Sequence, residues 1–168
     1  MGWLDWVALA PLVGLIAFRR GAPPAYWLVA LGFSVSFFAD AGNILLGGSW
    51  VLTYIYPALQ FGLFALAFGS RLIWALVALA GVQVVATPLS GPDMIVTAIG
   101  SVGALWAAHG HALFPTVVAY CFVATALYLV LVTELWRPGY MPLWYSYQAA
   151  RLVAFALFGR AAWRTATA

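Results

Sequence analysis

The sequence predicts an all-α bundle of about seven membrane-spanning helices in one domain over residues 1–168, and three observations carry that expectation. Hydrophobic residues make up 66% of the chain and charged residues 7%, whereas soluble domains carry roughly a quarter charged residues. A chain this short has too little interior to hide so much apolar surface from water. The apolar residues also fall in runs near the length of about 20 residues that crosses a bilayer, and the basic residues gather on one side once those runs are laid across it.

The first run covers residues 3–18. Its start, Met-Gly-Trp-Leu-Asp-Trp, lacks the basic opening and small-residue cleavage site of a secretory signal, so it is expected to be structure. Arg19-Arg20-Gly21-Ala22-Pro23-Pro24 ends it, and a second run at 25–46 closes on Gly47-Gly48-Ser49. The third, 50–69, contains Pro57 several residues in, which predicts a kink. Gly69-Ser70 separates it from a fourth at 71–89, and Ser90-Gly91-Pro92-Asp93 opens a fifth at 92–108, with Asp93 where an acid favours a helix N-terminus. His109-Gly110-His111 leads into the sixth, 112–135, and Arg137-Pro138-Gly139 into the seventh, 142–162. The first and fifth runs are short, and merging there would give six spans. Connections this brief make each helix antiparallel to the next.

With seven spans, Arg19, Arg20, Arg71, Arg160 and Arg164 fall on one side together with His109 and His111. The other side receives Asp5, Asp93 and Glu134 with Arg137 alone. Positive charge marks the cytoplasmic face, so the N-terminus is expected outside and the C-terminus inside a plasma membrane such as the bacterial inner membrane. All nine tryptophans lie near span ends, where indole rings prefer the head-group level. Small residues four apart, such as Gly32/Ser36, Ala58/Gly62, Gly100/Ala104 and Ala150/Ala154, allow close helix approach. Tyr54-Ile-Tyr56-Pro-Ala-Leu-Gln60 echoes Tyr145-Ser-Tyr147-Gln-Ala-Ala-Arg151, and each then runs to a Phe-Gly close followed by Arg. That pattern suggests a parallel repeat of three spans, one linking span and three spans.

Several function classes are excluded or disfavoured. Seven arginines against four acids are too sparse for a nucleic-acid footprint. The lone Cys121 offers no intrachain disulfide or cysteine metal cluster. The absence of lysine excludes a retinal Schiff base. No phosphate loop, His-Glu-x-x-His or serine elbow occurs, and no catalytic residue, metal site or cofactor is expected. His109 and His111 read as residues of a solvated loop, and Glu134 with Arg137 as an interfacial ion pair.

Ionisable groups inside spans are functional candidates, because Asp or Arg at mid-helix is unfavourable by about 2.5–3.5 kcal/mol. Asp40 lies about 9 Å and Arg151 about 12 Å below the same outer edge at 1.5 Å per residue, so the two are expected to pair. Ser36, Asp40 and Asn43 share one face of the second span, Thr53, Tyr56 and Gln60 one face of the third, and Tyr147, Gln148 and Arg151 one face of the seventh. Gln83 of the fourth span lies at a similar depth. These residues predict a ligand site in the outer half of the bilayer: Asp40, Arg151, Gln60, Asn43, Gln83, Tyr56, Tyr147 and Gln148. The expected function is binding and transport of a small polar or amphipathic molecule. Two alternatives are a structural or accessory subunit of a larger membrane complex and a lipid-modifying enzyme. The expected partners are membrane lipids, a small-molecule ligand and a membrane protein or second copy, with no nucleic acid.

Overall fold

The computed structural model describes residues 3–47, 51–71, 75, 78, 92–124 and 140–165. Among the described residues every regular element is helical. A 3₁₀ stretch, Trp3–Leu9, runs into α1, Ala10–Phe18. There follow α2, Pro24–Leu45, and α3, Val51–Ala67. Next come α4, Pro92–Ala108, and α5, Phe114–Val118, which continues into a π-helical stretch, Ala119–Ala124. The last is α6, Tyr140–Arg164. The expected span at 71–89 and the second half of that at 112–135 lie outside the described residues.

Turn chemistry places the helix ends. Pro11, Pro24 and Pro115 sit in the first turns of α1, α2 and α5, where the missing N–H has no intrahelical partner to lose. After α3, Gly69 adopts φ 68° and the Ser70 N–H reaches back 2.8 Å to the Ala65 carbonyl. A side chain is strained in that left-handed conformation, so glycine ends the helix. Gly110, φ 83°, does the same after α4.

Among the described residues α2, at 22 residues, is the one helix long and apolar enough to cross a membrane, and Trp6–Phe18, Tyr56–Ala67 and Ile99–Ala108 are shorter apolar segments. At 1.5 Å per residue α2 spans roughly 33 Å, against a hydrocarbon core of about 30 Å. The 25-residue α6 is as long but carries Arg151, Arg160 and Arg164.

The described helices pack in a closed ring: α1 on α2, α2 on α3, α3 on α4, α4 on α5 and its π continuation, these on α6, and α6 back on α1. Two pairs in the ring run parallel. Phe68, just past α3, stacks at 5.1 Å on His111, just past α4, while Phe61 packs against Gly100 midway along both helices. Arg19, just past α1, lies 4.3 Å over the Trp163 ring near the end of α6. Consequently Arg19, Arg20, Arg71, Arg160 and Arg164, with His109 and His111, stand at one end of the bundle. An aromatic cluster fills the ring. Phe33 of α2 touches Phe64 at 5.4 Å, Tyr120 at 4.8 Å and Phe155 at 5.1 Å. Gly32 and Gly100 are where α2 and α4 meet α3: a Cβ on either would run into the ring of Phe64 or Phe61.

Candidate functional site

The described residues place a polar cluster in the interior of the ring, assembled from α2, α3, the π stretch and α6. Gln60 is buried on α3, and its Nε2 donates to the Gly32 carbonyl at 2.9 Å and to the Tyr120 hydroxyl at 2.6 Å. One side chain thereby joins three elements. It lies three residues beyond Pro57, the proline inside α3, where the helix loses a backbone donor.

Arg151 is buried on α6, eleven residues from Tyr140. That is roughly 16 Å along the helix, nearer its middle than the 12 Å expected, because α6 starts before residue 142. Its Nη1 donates to Gln148 Oε1 at 3.1 Å. The guanidinium carbon lies 5.5 Å from the Tyr147 ring and 5.8 Å from the Phe155 ring, distances at which a cation is held by the aromatic faces. Tyr120, which accepts from Gln60, and Phe155, which lies under Arg151, both pack on Phe33, at 4.8 and 5.1 Å, and this brings the α6 residues toward Gln60. Gln148 is itself buried, and its Nε2 has no hydrogen-bond partner among the described residues.

Gln60, Tyr147, Gln148 and Arg151 therefore come together inside the ring. Asn43 is buried too, but its Oδ1 accepts from the Leu52 N–H at 3.0 Å. It caps the first turn of α3 from α2, which gives it a structural task. Tyr56 is half-buried, one turn before Gln60. The side chain of Asp40 and the whole of Gln83 lie outside the described residues, as does the expected contact between Asp40 and Arg151.

Tyr120 was not among the residues singled out from sequence. It stands in an apolar run, and its polar companion on that face among the described residues is Thr116, four residues earlier and also buried. The local helix type carried no sequence signal, yet the π stretch begins at Ala119 and turns Tyr120 and Cys121 inward. π-helical turns recur at functional sites. The histidine loop also departs from expectation. His109 is exposed, but His111 is half-buried, and its Nδ1 accepts from the Leu113 N–H at 3.1 Å while its ring meets Phe68.

Comparison of the chain with protein-family models, curated proteins and solved structures returns no match, so no relative's chemistry bears on this cluster.

Proposed function

We propose that the protein is a multi-pass membrane protein that binds and carries a small polar or amphipathic anion at the interior cluster around Arg151. The observation behind this reading is the reversed polarity of the ring. Outward faces are apolar on helix after helix: Leu31, Phe38 and Leu45 on α2, Leu59 and Leu66 on α3, Ile99, Val102 and Trp106 on α4, Leu152 and Val153 on α6. Buried polar side chains, by contrast, include Gln60, Gln148, Arg151, Ser34, Ser101 and Thr116. A helix on the surface of a water-soluble protein carries its polar face outward.

In this reading residues 71–89 and the rest of 112–135 complete seven spans, with the basic end of the ring in the cytoplasm. The ring order favours the repeat of three, one and three. α1, α2 and α3 would correspond to α4, α5 with its π stretch, and α6, and the parallel contact of α3 with α4 would correspond to that of α6 with α1. Gln60 and Arg151 would be equivalent positions, as would Phe64 and Phe155, which both lie against Phe33.

An anionic group would meet Arg151 and the spare donor of Gln148, since a buried donor left without a partner costs about 1–3 kcal/mol. Gln60, Tyr120 and Tyr147 would hold the remaining polar atoms, and Asp40 would orient Arg151 or accept a proton. The reading requires a water path to Arg151. With Cys121→Ala as background, Arg151→Cys should react with small water-soluble thiosulfonates in the folded protein, and Leu152→Cys, one residue on and facing outward, should not. An unreactive thiol at 151 beside a reactive control at exposed Leu46 would refute the ligand site.

A further inference from the structure

Two helical glycines find no packing partner among the described residues. Gly14 of α1 and Gly159 of α6 line one cleft of about 250 Å³ between these helices, and a Cβ on either would meet nothing within 4 Å. Gly32 and Gly100 differ, because the Phe64 and Phe61 rings occupy the space beside them. Glycine inside a helix costs about 0.8–1 kcal/mol relative to alanine, a cost normally offset by something that must come close. At Gly14 and Gly159 nothing among the described residues does. Apart from Arg19, the rest of the lining is apolar, including Leu15, Phe155, Phe158 and Trp163.

Toward the basic end this cleft meets a second of about 220 Å³, which shares Phe18, Arg19 and Ala162 with it and adds Arg20. Arg19 stands at the junction. Its Nη2 makes a long bond, 3.4 Å, to the Trp163 carbonyl, and its buried Nε has no partner among the described residues. The acids within described helical segments, Asp5, Asp40 and Asp93, belong to segments directed toward the opposite end. An apolar slot thus opens at one end onto two arginines with no described carboxylate beside them.

We propose that the α1–α6 cleft binds an anionic phospholipid, with an acyl chain against Gly14 and Gly159 and the phosphate against Arg19 and Arg20. The proposal rests on the membrane reading above but is independent of the Arg151 site. Charge selects the head group, and the open glycine faces admit a methylene chain.

Native mass spectrometry of the detergent-purified protein tests it, with phosphatidylglycerol and phosphatidylcholine as probes. The protein should hold one phosphatidylglycerol under activation that strips phosphatidylcholine. Gly14→Leu with Gly159→Leu should abolish that retention, since a Cβ at either position meets nothing within 4 Å and the longer side chains would occupy the cleft. Arg19→Gln and Arg20→Gln should each weaken it about fivefold, the effect of removing one basic residue near an anionic lipid surface. Equal retention of the two lipids, or unchanged retention in the glycine variant, would overturn the proposal. So would a dimer that the glycine variant dissociates, which would make the cleft a helix-to-helix contact. Detergent phase partitioning of the same preparation reads the membrane assignment separately: a protein that stays in the aqueous phase refutes that assignment, whereas one in the detergent phase with no lipid selectivity refutes the lipid site alone.

Discussion

Replacing Gln60 by Leu tests whether the interior cluster is a connected network. The two side chains are close in volume, so the substitution removes chemistry more than packing. Two hydrogen bonds are lost, at 2.9 Å to the Gly32 carbonyl and 2.6 Å to the Tyr120 hydroxyl. Interhelical bonds of this type in membrane proteins average about 0.6 kcal/mol and reach about 1.7, which puts the expected loss at about 1–3 kcal/mol. For a chain of this size each kcal/mol corresponds to roughly 2–4 °C in Tm, so a drop of about 2–12 °C is expected. Tyr120→Phe removes one of the same bonds and leaves Gln60 on Gly32, for a loss of about 1 kcal/mol or less. The double variant should be less destabilised than the sum by about the value of the shared bond. Cys121, the single cysteine, is buried beside Tyr120 and supplies the assay: a thiol-reactive fluorophore reports its exposure as the protein unfolds on heating. Strict additivity within about 0.3–0.5 kcal/mol would mean that Gln60 and Tyr120 do not interact and would refute the network.

Three further outcomes are expected. Asp40→Asn combined with Arg151→Gln should melt higher in detergent than either single change, because removing one member of a buried pair strands a charge at about 3–5 kcal/mol; additive effects would mean the two do not pair. Gly32→Ala and Gly100→Ala should each cost about 1–3 kcal/mol through collision with Phe64 and Phe61, while Gly14→Ala, with open space at its Cβ, should be neutral or stabilising by up to about 1 kcal/mol; equal effects in the same melting assay would contradict the packing described. His111→Ala should lower stability by about 0.5–2 kcal/mol by removing the acceptor of the Leu113 N–H, His109→Ala should be silent, and elemental analysis should find no metal lost with either.

Helix boundaries were legible where backbone chemistry dictates them. Expected runs at 25–46 and 92–108 correspond to Pro24–Leu45 and Pro92–Ala108 because proline fixes φ at the helix start and glycine admits the left-handed conformation just past the helix end. Helix type was not legible: no residue in Ala119–Ala124 distinguishes π from α winding, and that winding decides which side chains face inward. Arg151 and Gln148 could be found because polar groups in an apolar run announce themselves by periodicity, whereas Tyr120 could not, since a tyrosine among so many aromatics carries no contrast. Asn43 shows the limit of reading a polar face, as its partner is a backbone N–H nine residues on and invisible to side-chain spacing.

The membrane-crossing arrangement is tested most directly by two-sided labelling. In a Cys121→Ala background, Leu46→Cys at the exposed end of α2 and His109→Cys at the exposed basic end stand at opposite ends of the ring. On intact cells an impermeant maleimide should label the thiol at 46 and not that at 109, and inverted vesicles should give the reverse. Labelling of both sites from the same side would contradict a bundle that crosses the bilayer.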